Sequence, residues 1–236
     1  MNREGVLIVA RKELREISIN RGSWISALFL ALFFAFTNMA NLVAQGGQGT
    51  VVLDGPLVYL SMFIGVFTGF ILAGAVFYRE KQSGVIETLL CTPLNLRTIW
   101  LGKVIGVAVP AYLMALVAVG VLAAFTLSSG AAVQSVQPFT VLHVALAAPL
   151  FAAAAIGLVG YVQLALGMRE NRFINFGVFT LLILGLTVSS SLISFNLNLL
   201  GSVVLAILAA SAGLLALAYY LSGRLKKEKI ITTIPD

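Results

Sequence analysis

The chain has 236 residues, 60% of them hydrophobic and 10% charged. That balance excludes a water-soluble domain, because 15 cations and 9 carboxylates cannot cover the surface of a fold this size. The formal charge of +6 does not point to nucleic acid, since the basic residues flank apolar stretches instead of forming a groove with interleaved aromatics.

In chain order, the first predicted element is a helix over about residues 3–20. Val6, Ala10, Leu14 and Ile17 recur at helical spacing, with Arg11, Lys12 and Arg15 on the opposite face. This is the pattern of an amphipathic interfacial helix, with its cations near anionic lipid headgroups. A plain anchor and a specific docking element fit it equally. Some 22 residues of mixed charge precede the first apolar run, too many for a signal-peptide n-region, so that run is read as retained.

Six apolar stretches follow, at about 23–44, 57–77, 104–127, 140–167, 173–195 and 199–221. Each reaches the roughly 20 residues needed to cross the hydrocarbon core. None contains Asp, Glu, Lys or Arg. The expected fold is an all-α integral membrane protein, one transmembrane domain over 1–236 with six transmembrane helices.

The connections fix the expected orientation, because Lys and Arg collect on the cytoplasmic side. Arg3, Arg11, Lys12, Arg15 and Arg21 precede the first span, and Arg79, Lys81, Arg97 and Lys103 lie between the second and third. Arg169 and Arg172 separate the fourth and fifth, while Arg224, Lys226, Lys227 and Lys229 follow the sixth. The remaining connections hold no cation and one carboxylate, Asp54. Both termini are therefore expected in the cytoplasm. Only Asn196, Leu197 and Asn198 part the last two runs, so a re-entrant pair of half-helices is the alternative there.

The connection from Tyr78 to Lys103 is the longest polar stretch, and it is punctuated. Ser83 and Gly84 suit a helix start, Glu87 favours the positive end of that helix, and Pro93 stops it. A helix of about two turns is expected, with Ile86, Leu89 and Leu90 on one face and Glu87 and Thr88 left for a polar partner. Asn95 is placed to cap the next helix, which runs through Trp100 into span three. Two roles remain open on the residues alone: a lever that carries a push into both spans, or a connector resting on the membrane.

Other chemistry is scarce. No ionisable group lies at mid-span, as ion-coupled transport usually requires, and His143 is expected near the outer end of span four as a packed or interfacial residue. There is no H-E-x-x-H, no G-x-S-x-G and no cysteine pair, and Cys91 is expected to pack beside Pro93. Gly65, Gly69 and Ala73, and Gly102 with Gly106, form small-residue rows that permit close helix approach, within one subunit or between two. Pro110 and Pro149 are expected to kink spans three and four. Asn38, Asn41 and Gln163 are expected to make interhelical hydrogen bonds.

The run Glu80-x-x-x-Gly84-x-x-Glu87-x-Leu89-Leu90-x-Thr92-Pro93, followed by Leu101-Gly102-Lys103, resembles the first cytoplasmic loop of ABC type-2 transporter permeases, E-x-x-x-G-T-x-E-x-L-L-x-T-P. Val85 stands where that pattern has Thr. The resemblance extends to the basic N-terminal helix, the six spans and the length. It implies an exporter's membrane subunit, paired with a second copy or related permease and with separate ATPase subunits. Glu87, Thr88, Leu89 and Leu90 would form a coupling helix against the ATPase, with Glu80, Gly84 and Pro93 shaping the loop. ATP and Mg would belong to the partner. This chain has no G-x-x-x-x-G-K-[ST] loop, since Gly46-Gly47-Gln48-Gly49 lacks the lysine, and it is expected to bind membrane lipid but no cofactor, metal or nucleic acid. Without the resemblance, an ATPase-independent transporter or channel and a membrane scaffold also fit.

Overall fold

The computed structural model describes residues 3–46, 51–129, 135–166, 200–225 and 230, with scattered positions between 176 and 188. The elements are α1 (Arg3–Ile19), α2 (Arg21–Gly46), α3 (Asp54–Ala73), α4 (Arg79–Gln82), α5 (Val85–Leu90), α6 (Leu96–Ser128), α7 (Pro138–Leu142), α8 (Ala148–Ala165) and α9 (Leu200–Ser222). Wider π turns at Gly74–Tyr78 and His143–Ala147 join α3 to α4 and α7 to α8 without interrupting the helix.

Five described helices are long and apolar enough to cross a membrane: Arg21–Ala40, Asp54–Gln82, Leu96–Ser128, Pro138–Ala165 and Leu200–Ser222. They match the expected first, second, third, fourth and sixth spans, and the chain is an all-α, multi-pass membrane protein. Most of the fifth run, 173–195, lies outside the described residues, as do Arg169, Arg172, and the turn at 196–198 with its re-entrant alternative. One described residue of that run, Phe179, packs on Phe70 and Phe67 of α3, with ring centroids 4.3 and 5.2 Å apart.

Helix α6 is the hub, touching α1, α2, α3 and α8, while α3 also packs on α8 and α9 on α8. Small residues let these axes approach. A Cβ at Gly69 would lie 2.7 Å from Ile156 Cδ1, one at Gly157 2.9 Å from Trp100 Cζ2, and one at Gly160 2.7 Å from Phe77 Cζ. The Gly65 and Gly69 row therefore serves packing within the chain, against α6 and α8. Trp100 also donates its indole N–H to the Gly157 carbonyl at 3.2 Å, so the large ring is both packed and satisfied. Ile25, Phe29, Phe33 and Phe36 form an exposed outer stripe on α2, the face that lipid covers.

Pro149 acts differently from a simple kink. In the π turn the Ala148 N–H donates to His143, five residues back. The same register would pair the Val144 carbonyl with the nitrogen of Pro149, which carries no hydrogen. The Tyr112 hydroxyl from α6 donates to that carbonyl instead, at 2.9 Å. At the same end of the bundle, buried Asp54 accepts the Gln137 N–H at 3.0 Å and the Thr140 hydroxyl at 2.5 Å, tying α3 to α7. His143 is buried there, as expected.

Three expectations are corrected. The apolar face of α1 does not rest on lipid: Val6, Val9, Ala10, Glu13 and Ile17 are buried, chiefly against α6, while Leu7, Ile8 and Ile19 are exposed. The reason is that Gly102 and Gly106 open a groove on α6, where protein packing replaces the membrane contact. Asn38 donates to the Phe34 carbonyl of its own helix at 2.8 Å rather than to a neighbour, an i−4 carbonyl being nearer than any interhelical acceptor. Cys91 is exposed, because the bend into Pro93 turns it out of α5. The Asn41 side chain lies outside the described set, and Gln163 is buried with its Oε1 unpaired among the described residues.

Candidate functional site

The site is built at the end of the bundle opposite Asp54, where α3, the π turn and α4 run as one helix into the polar loop. Gly84 ends that helix with φ +71°, a left-handed conformation that a side chain resists. The chain then reverses into α5, six residues long. Its inner face carries Ile86, 2% exposed, with Leu89 packed partly against the same apolar cluster. Its outer face presents Val85, Glu87 and Thr88, all exposed. The Thr88 and Thr92 hydroxyls donate to Val85 and Leu89 at 2.7 and 2.6 Å, closing the short helix on itself. Pro93 lies in the exposed bend beyond it, and Asn95 takes the extended cap position before α6 without a side-chain hydrogen bond. The Leu90 side chain lies outside the described set.

The base of this loop is pinned by charge. Lys103 of α6 is fully buried and donates to Glu13 of α1 at 2.8 Å and to Glu80 of α4 at 2.5 Å. Lys12 closes the ring from α1, reaching Glu80 at 2.7 Å and Glu13 and Glu16 at 3.2 Å. Burial pushes the Glu13 carboxyl above the usual carboxylate range, an effect that Lys103 opposes. Burial also pulls the Lys12 ammonium down, but Glu80, Glu13 and Glu16 outweigh it, and the net shift is upward. Carboxylate oxygens of Glu13, Glu16 and Glu80 lie within 4.8 Å of one another. Lys12 and Lys103 already reach into this group, which makes it an ion-pair network of three carboxylates and two ammonium groups.

Next to Glu80, Lys81 turns the other way. Fully buried, it donates to the carbonyls of Gln163, Leu164 and Leu166 at 3.4, 3.1 and 2.6 Å. These lie at the last turn of α8, where carbonyls lack helical partners and a cation suits the negative helix end. Two adjacent residues thus fasten α4 to three elements: Glu80 to α1 and α6, and Lys81 to α8.

Helix α1 reaches the network because Gly102 and Gly106 admit it. A Cβ at Gly102 would lie 2.5 Å from Val9 Cβ, and one at Gly106 2.6 Å from Glu13 Cβ. Of the residues singled out from sequence, Glu80, Gly84, Glu87, Thr88, Leu89 and Pro93 are brought into one continuous loop, but they divide into an outward pair, an inward leucine and a structural base.

Sequence reasoning missed Lys12, Glu13 and Lys81. The first and last were counted as orientation signals, and only the fold shows whom they meet. Glu13 did leave a trace: it stands in register with Val6, Ala10 and Ile17, a carboxylate on an apolar stripe.

Residues 19–183 match a family model described as "ABC-2 family transporter protein". No curated protein matches the chain.

Proposed function

The chain belongs to the ABC-2 transporter family, and from that premise we propose that it is the permease subunit of an exporter whose ATP, with Mg, is bound and hydrolysed by a separate ATPase. In this reading the single permease domain has six spans in the cell membrane, the run at 173–195 supplying the fifth, with both termini and the α4–α5 loop in the cytoplasm. The assembly holds a second copy or a related permease and two ATPase subunits. This chain itself contributes no nucleotide site.

The observation that carries the reading is the mechanical arrangement around α5. Glu87 and Thr88 face outward for a partner, while Ile86 and Leu89 grip the core. The helix that leads into α5 is pinned to α1, α6 and α8 through Glu80 and Lys81. A push on α5 is therefore delivered to spans two, three and four together, because packed interiors shift as units rather than deforming smoothly. That favours a lever over a passive connector. The absence of carboxylates and cations from the middle of the spans suits a hydrophobic or amphiphilic cargo.

The test is co-purification in mild detergent. A Walker-motif ATPase should accompany the wild-type protein, and Glu87→Arg or Thr88→Arg should release it while leaving the permease folded, since both side chains are exposed. Leu89→Asp is a poorer probe, because Leu89 is half-buried. Transport activity retained by a preparation free of any ATPase would overturn the proposal.

A further inference from the structure

A second polar feature at the same end of the bundle is not used by the loop. A cavity of about 350 Å³ opens between the first turn of α6 and the last turn of α9, lined chiefly by Asn95, Arg97, Thr98, Tyr219, Ser222 and Gly223. Among the described residues no carboxylate lines it.

Its donors converge. Asn95 gives its carbonyl to the Thr98 and Ile99 amides at 2.8 and 3.1 Å, but its side chain makes no cap. The amides of Leu96 and Arg97 are left at the positive end of a 33-residue helix without a capping oxygen among the described residues. Arg97 is held by stacking, its guanidinium carbon 5.3 Å from the Tyr219 ring centroid and closely against the backbone of Gly223. It has no carboxylate partner among the described residues. Thr98 is only 2% exposed and lines the cavity, and its hydroxyl makes no hydrogen bond to the described residues. On the cavity wall of an otherwise closed-off side chain, that hydroxyl is free to donate to a ligand that accepts.

The opposite wall does not compete. The last carbonyls of α9 are already occupied: Tyr219 by the Ser222 hydroxyl at 2.7 Å, and Tyr220 and Leu221 by the amides of Gly223 and Arg224 at 3.2 and 2.9 Å.

We propose that this cavity binds the phosphate of an anionic phospholipid, with Arg97 as the cation and Thr98 and the first amides of α6 as donors. A lipid suits the place better than a free anion. The α9 wall is the end of the last membrane-length helix, which sets the cavity at headgroup depth. Leu96, Tyr219 and Leu225 beside it are partly buried apolar residues continuous with the core, a surface for the start of an acyl chain. The cavity exceeds one phosphate and leaves space for the headgroup alcohol. A lipid held there would tie the start of span three to the end of the last span. The lipid assignment rests on the membrane reading above and not on the ATPase.

Native mass spectrometry of the full chain released from detergent tests it, with phosphatidylglycerol, phosphatidylcholine and inorganic phosphate as separate probes. One phosphatidylglycerol should stay bound under activation that strips phosphatidylcholine. Arg97→Ala should weaken that retention by about tenfold or more, the loss of a charge-assisted pair. Thr98→Val should weaken it less, and Arg224→Ala, outside the cavity, should leave it unchanged. Equal retention of both lipids, or no effect of Arg97→Ala and Thr98→Val, overturns the site. Phosphate binding that displaces phosphatidylglycerol at millimolar concentration overturns the lipid assignment in favour of a soluble phosphate. Loss of the ATPase from co-purification with lipid retention intact would sink the exporter reading alone.

Discussion

Replacing Lys103 by methionine keeps the length and apolar stem of the side chain and removes one buried charge. Lys103 is 0% exposed and holds Glu13 at 2.8 Å and Glu80 at 2.5 Å. Without it Glu80 keeps Lys12 at 2.7 Å, but Glu13, also fully buried, keeps only a contact with Lys12 at 3.2 Å. An uncompensated buried carboxylate costs about 3–5 kcal/mol. Lys103→Met should therefore be strongly destabilising in equilibrium unfolding in detergent micelles, followed by tryptophan fluorescence. The triple variant Lys103→Met, Glu13→Gln, Glu80→Gln removes the charges together and should unfold no more easily than the wild type. The contrast between single and triple variants matters more than either value. A single variant within about 1 kcal/mol of wild type, the range of exposed pairs, would refute the claim that these charges are desolvated.

Three further outcomes are expected. Burial raises the folded-state titration of Glu13 above its ordinary carboxylate value, so ionising it costs the folded state more than the unfolded one. Stability should fall as pH rises from the ordinary carboxylate range through the raised value, and paired unfolding curves should show Glu13→Gln losing that fall. Gly106→Ala should detach α1 and cost about 1–3 kcal/mol by overpacking, because its new Cβ meets Glu13 Cβ at 2.6 Å and the Ala10 carbonyl at 3.1 Å. Gly120→Ala in the same helix, where nothing lies within 4 Å, should be neutral or stabilising in the same melting assay. Tyr112→Phe removes the donor to the Val144 carbonyl, which Pro149 cannot serve, and thermal denaturation should register a loss of about 1–3 kcal/mol.

How much of this was legible without coordinates depends on the range of the interaction. Span positions follow from local composition, since a lipid solvent demands some 20 uncharged residues in a row, and the five described membrane-length helices overlap the expected first, second, third, fourth and sixth runs. The helix start at Gly84 and the helix boundary at Asn95 were readable too, because they depend on backbone geometry within a few residues, although the Asn95 side chain makes no capping hydrogen bond. Helix α6 begins at Leu96 rather than where its apolar run begins. A helix need not end at the membrane surface when its charged first turns find partners, and hydropathy alone does not register those partners.

The amino-acid sequence by itself determined that this is an all-α membrane protein, which segments are long and apolar enough to cross, and where the punctuated loop lies. Each is a property of neighbouring residues. Only the tertiary structure decided that α1 packs into the glycine groove of α6, that Lys81 turns to α8, and that Glu13 and Glu80 meet Lys12 and Lys103. Those pairings join positions up to 90 residues apart, and charge placement along a chain does not specify which opposite charge will be close once water is removed.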